Sequence, residues 1–202
     1  MRAGSKAFYG WTKSVLWFLC LLPFAHMLLG AFAVAGVSLG ANPVEDILDT
    51  FGIWALRLLL GTLAVTPLRR LTGWNWLIGY RRMLGLFAFF YALLHLTTYV
   101  WLDQGWNFSQ VVEDVIKRPF ITLGMLAVLL LLPLALTSNR WSMRRLGRRW
   151  QRLHRLVYLI AILAVWHFYW QVKLDTLEPL VYVLILSGLL GVRVGYWWRR
   201  RR

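Results

Sequence analysis

RRLGRRWQRLHRLVYLIAILAVWHFYWQVK, residues 144–173, decides how the rest of the chain is read. A dense basic cluster runs into an apolar stretch long enough to cross a bilayer as a helix, which takes about 20 such residues. One histidine stands at each end of that stretch, His154 and His167. Ionisable side chains are costly at membrane depth, so intramembrane histidines are functional candidates by default.

Working outward, runs of the same kind recur along all 202 residues, 59% of which are hydrophobic. They predict six spans, at about 14–37, 51–68, 83–102, 119–136, 153–172 and 180–198. The expected architecture is all-α and polytopic, one domain over residues 1–202, with no room for a separate soluble unit. The first run follows a basic start and carries Ala33-Val34-Ala35, which imitates a cleavable signal. Its ~23 residues exceed the roughly 7–15 of a signal core, so it reads as a retained helix. The lone Cys20 excludes an internal disulfide and any multi-cysteine zinc or iron–sulfur site.

The formal charge of +15 would point to nucleic acid in a soluble chain. Here it is sorted by loop. The N-terminus, 69–82, 137–152 and the C-terminus hold nearly all the Lys and Arg. All eight acids fall in the three alternate loops, whose only bases are Lys117, Arg118 and Lys173. The positive-inside rule then places both termini in the cytoplasm, with anionic lipid rather than nucleic acid as the partner of the basic loops. No internal repeat is evident.

That topology sets depth. His95 lies thirteen residues after Arg82 on the third span, and His167 lies thirteen after His154 on the fifth. Both therefore sit roughly 20 Å from the inner surface. Two imidazoles on different helices at one level are what the two axial positions of a single haem require. The competing reading is a pair of histidines hydrogen-bonded between helices as packing. His154 is rotated from His167 by about 220° and belongs to the inner interface. Its level partners on the third span are Arg81 and Arg82, not a second histidine. That group suits an anionic cofactor (a flavin phosphate, haem propionates or a quinone headgroup), or is plain interface with a snorkelling histidine. Arg57, six residues into the second span, suits a haem propionate or reaches outward. His26, mid-span on the first helix, reads as a lone histidine pairing with a neighbour, with a third ligand or gating residue as the alternative. The six arginines of 137–152 are a topology determinant or a docking patch for an electron donor. No G-x-G-x-x-G follows a strand, so the chain is not expected to oxidise NAD(P)H by itself.

The stretches LAVTPLRR (63–70), RRMLGLFAFFYALLHLTTYVWLD (81–103) and PLALTSNRWSMRRLGRRWQRLHRLVYL (133–159), on a six-span plan, resemble the MsrQ family. Its members are haem-binding inner-membrane subunits of bacterial methionine-sulfoxide reductase systems, with a ferric-reductase-like transmembrane architecture. The resemblance implies b-type haem and FMN as cofactors, and electron transfer from the quinone pool or a cytoplasmic flavin reductase. The acceptor it implies is the periplasmic molybdoenzyme MsrP, a heterodimer partner that reduces methionine sulfoxide in oxidised proteins. It also implies that His95 and His167 are outer haem ligands and His154 an inner cofactor histidine. On this reading the chain is an electron conduit and the sulfoxide chemistry belongs to the partner. The alternatives are a stand-alone ferric reductase or quinone-linked cytochrome b, and a cofactor-free transporter or assembly factor.

Overall fold

The computed structural model describes residues 3–172 and 176–199. Arg2, Lys173, Asp175 and the last three arginines, which enter the charge argument above, lie outside the described residues. Nine α-helices occur among those described: α1 (Ala3–Ala31), α2 (Pro43–Thr72), α3 (Tyr80–Thr98), α4 (Phe108–Lys117), α5 (Pro119–Leu136), α6 (Arg140–Leu146), α7 (Arg148–Leu153), α8 (Leu156–Gln171) and α9 (Leu177–Arg199). Six segments are long and apolar enough to cross a membrane, as expected: α1, α2, α3 with the turns on either side of it, α5, α7–α8 and α9.

Boundaries differ from expectation where polar residues start helices. The acidic stretch read as a loop to Thr50 is helical from Pro43 onward. Asn42 caps that end, Pro43 takes the first turn, and Glu45 and Asp46 face the helix's positive end. Likewise the polar 103–118 loop, expected to hold at most one short amphipathic turn, contains a full helix, α4, capped by Asn107. Phe108, Val112 and Ile116 form an exposed apolar stripe along it, while Val111 and Asp114 turn inward. The arginine-rich 137–152 segment forms two short helices hinged at Gly147, whose φ of 48° is the left-handed region that favours glycine.

Two helix pairs make the centre of the bundle, α2 along α3 and α5 along α8, with α1 and α9 outside them. Contacts fix which ends lie together. At one end Gln171 reaches Asp49, Arg57 reaches Glu178, and Tyr99 reaches Asp114. At the other, Thr12 meets Tyr80, Arg70 covers Tyr196, and Thr137 meets His154. The described acids therefore gather at one end of the bundle and the arginine-rich segments at the other.

Prolines inside spans leave backbone groups that must be satisfied internally, since lipid supplies no partners. Pro67 has no N–H for the Leu63 carbonyl, and the Arg193 guanidinium of α9 donates to that oxygen instead. Beside Pro23, the buried Tyr91 hydroxyl is inserted into the ladder of α1. It accepts from the Phe24 N–H at 3.1 Å and donates to the Cys20 carbonyl at 2.7 Å. Each device fastens an outer helix to the central pairs.

Candidate cofactor site

A cavity of about 670 Å³ lies between the central pairs near the acid-bearing end, a size that suits a bound cofactor. His95 of α3 and His167 of α8 both line it. Their rings are 6.1 Å apart, centre to centre, and cross at 80°. The level match expected from sequence is therefore realised as a facing pair.

Each ring is held by the helix it packs against. His95 Nδ1 lies 2.9 Å from the Leu48 carbonyl of α2, and His167 Nδ1 lies 2.6 Å from the Phe120 carbonyl of α5. A carbonyl only accepts, so Nδ1 carries the proton in both rings. Nε2 is then the bare lone-pair nitrogen, the form in which imidazole binds a metal. A metal–imidazole bond is about 2 Å and the ring centre lies about 1 Å beyond the nitrogen, so one iron between two imidazoles separates their centres by roughly 6 Å. The observed spacing matches. Among the described residues no cluster of three or more His, Cys, Asp or Glu could hold a metal ion, so the histidines stand as a pair. Two axial positions suit a haem, whose macrocycle fills the remaining ones.

The rim is polar. Arg57 borders the cavity, donates through Nε to Tyr182 Oη at 2.8 Å and lies over the Trp54 ring. Arg118 borders it as well, with Nε 3.2 Å from the buried Asp114 carboxylate. Tyr99 donates to the other oxygen of that carboxylate at 2.8 Å. Arg57 was expected here, but Arg118 was not. Arg118 stands just before Pro119 and read as an ordinary loop base.

The remaining histidines sit elsewhere. His154 lies at the basic end, in the break between α7 and α8, and does not line the cavity. Its Nε2 is 3.1 Å from the Thr137 hydroxyl, and its ring stacks on Trp150 at 3.9 Å. Arg81 is half-buried and within electrostatic reach of it, whereas Arg82 is exposed. His26 is exposed on α1 and does not line the cavity.

One regularity was not legible. His167, Phe120 and Gly124 each lie 72 positions after His95, Leu48 and Gly52. The two histidine seats are thus one arrangement built twice, although no repeat is evident in the sequence.

Residues 51–165 match the family described as "Ferric reductase like transmembrane component". The match includes His95 and His154 and stops two residues short of His167. The chain is 53% identical to the protein-methionine-sulfoxide reductase heme-binding subunit MsrQ of Azospira oryzae, over 90% of this chain and 78% of that one. It is 58% identical to the MsrQ of Xanthomonas campestris, over 81% and 73%. With the MsrQ of Bordetella pertussis the identity is 51%, over 95% and 93%. No solved structure matches.

Proposed function

The chain belongs to the ferric-reductase-like transmembrane family and, within it, to the MsrQ heme-binding subunits, and from that premise we propose that it carries electrons across a membrane through a haem held between His95 and His167. The observation that supports this most is the matched Nδ1–carbonyl bond at each ring, which leaves Nε2 free beside a shared cavity. The haem, when bound, supplies a one-electron redox centre. The protein's part is to fix both imidazoles, exclude water with the aliphatic faces of α2, α3, α5 and α8, and place cations where propionates would lie. Arg57 and Arg118 are the residues for that last role.

The basic end takes the cytoplasmic side of the bacterial inner membrane in this reading. The electron donor is the quinone pool or a cytoplasmic flavin reductase, and electrons enter near His154. Arg81, Arg82 and the arginines of 137–152 offer cations to an anionic group there, a second haem's propionates or the phosphate of FMN. Iron at His154 would require its bond to Thr137 to break or Nδ1 to serve. Electrons leave at the acid-bearing end to MsrP, the molybdoenzyme on which methionine sulfoxide is reduced.

An oxidised-minus-reduced spectrum of purified protein, with haem and flavin counted per chain, tests the proposal. A low-spin b-type spectrum is expected, lost in His95→Ala and in His167→Ala and kept in His26→Ala. Retention in either ligand variant refutes the pairing. The flavin count decides whether FMN belongs at the basic end.

A further inference from the structure

Gly52 and Gly124 are interior residues of α2 and α5, where glycine weakens a helix by roughly 1 kcal/mol relative to alanine. Each lies directly beneath one of the paired imidazoles. A methyl group on Gly52 would sit 3.0 Å from His95 Nδ1 and 3.1 Å from its Cε1. One on Gly124 would sit 2.9 Å from both Nδ1 and Cε1 of His167. Both are inside ordinary contact distance, and the atoms met belong to rings already tied to a carbonyl.

The carbonyls complete the pattern. Leu48 and Phe120 each precede the facing glycine by four residues, so they are that glycine's own partners in the helical ladder. In an α-helix the side chain at position i+4 flanks the carbonyl at position i. A bare glycine opens that flank, and the imidazole N–H enters to share the oxygen. Other glycines of the central helices meet no such constraint. A methyl on Gly61 of α2 would find only Leu84, at 4.0 Å, and one on Gly85 of α3 would be no nearer than 3.8 Å to Thr62.

We infer that Gly52 and Gly124 are positioning residues for the two iron ligands, each with its carbonyl forming a seat that fixes the depth and rotation of one imidazole. This rests on the haem reading above and goes beyond it by naming what sets the ligand geometry. The seats hold the rings 80° apart in plane. Near-perpendicular imidazoles donate into different iron d orbitals and leave those orbitals nearly degenerate. The ferric haem should then give a highly anisotropic low-spin EPR signal rather than the rhombic signal of parallel rings.

The test uses the full-length chain, purified from haem-replete cells, as wild type and as Gly52→Ala, Gly124→Ala and Gly61→Ala. Each is assayed for haem per chain, absorption spectrum, EPR and midpoint potential. Gly52→Ala and Gly124→Ala should hold haem about tenfold less well, in keeping with overpacking of a close-packed site. What haem they keep should show a shifted potential and a less anisotropic or high-spin signal. Gly61→Ala should match wild type in all four. A purely structural glycine predicts the opposite, because alanine improves the helix. Wild-type haem content and EPR in both seat variants would overturn the inference. Should a seat variant fail to accumulate, the wild-type EPR decides alone, and a rhombic, parallel-ring signal overturns it. Wild-type protein without low-spin haem would instead refute the haem reading itself.

Discussion

Arg193→Met should cost much of its stability only while Pro67 is present. Arg193 sits deep in α9, donates to the Leu63 carbonyl that Pro67 cannot serve, and lies over the Tyr158 ring. A hydrogen bond from a charged group contributes about 1.5–3 kcal/mol when its loss strands the partner. In Pro67→Ala the new amide N–H supplies the helical bond to the same oxygen, worth about 1 kcal/mol, and Arg193 becomes redundant there. The ring contact, the desolvation of the guanidinium and its repulsion from nearby Arg81 are the same in both backgrounds and cancel in the cycle. The coupling left over is about 1–2 kcal/mol, or roughly 3–6 °C in Tm for a chain of this length. Cys20 provides the assay, because it is the only cysteine and is 3% exposed. A thiol-reactive dye therefore reports unfolding directly. If the two changes add to within about 0.5 kcal/mol, the Pro67–Arg193 account is wrong.

Tyr91→Phe removes the hydroxyl shared by Phe24 N–H and the Cys20 carbonyl, and should destabilise by about 1–3 kcal/mol in the same thiol assay, against no change if α1 closes its own bond. Arg57→Gln removes a cation from the cavity rim and should lower the haem midpoint potential, since positive charge favours the reduced form. Its side chain is 44% exposed and solvent-screened, so the drop should be only roughly 10–40 mV, and a rise in a redox titration would contradict the propionate role. Reversing Asp103 and Glu113 to Lys should slow electron transfer to MsrP at low salt and little at high salt. Equal rates at low salt would remove the acid-bearing end as the docking face. Asp114 is unsuited to that experiment, because its carboxylate is buried against Tyr99 and Arg118.

Hydropathy made six spans legible because bilayer thickness fixes their length, whatever packs against them. Charge sorting gave the level of His95 and His167, and the level gave the pair. Helix starts were read less well at Asn42-Pro43, where three nearby acids looked like a loop although Asn, Pro and early acids are also the signature of a helix N-terminus. Arg118 was missed for a related reason: its place beside Asp114 depends on α4, and ten residues of moderate polarity do not announce a helix. Arg193 was beyond reach, because the need for it arises at Pro67, more than a hundred residues away, and only the fold brings the two together. The seats of Gly52 and Gly124 were hidden by chemistry itself. Glycine is common in membrane helices for many reasons, and only the position of an imidazole shows which one applies.

The 72-residue offset between the two seats constrains what the rest of the molecule can hold. Leu48, Gly52 and His95 recur as Phe120, Gly124 and His167, so α2–α3 and α5–α8 present equivalent faces to one cavity. An iron held there would take one ligand from each half, and its two sides would be alike at the level of ring, carbonyl and glycine. The offset does not extend to the basic end. The position 72 before His154 is Arg82, exposed and cationic, and cannot bind iron as an imidazole does. Thr137 and Trp150 hold His154 in a setting unlike either seat, with Nε2 and not Nδ1 engaged. A second cofactor at that end would therefore have to be bound asymmetrically, with a histidine and arginines from the α5–α8 half and only cations, such as Arg81 and Arg82, from the α2–α3 half. Such a site should differ from the haem proposed between His95 and His167 in spin state, potential or chemical identity.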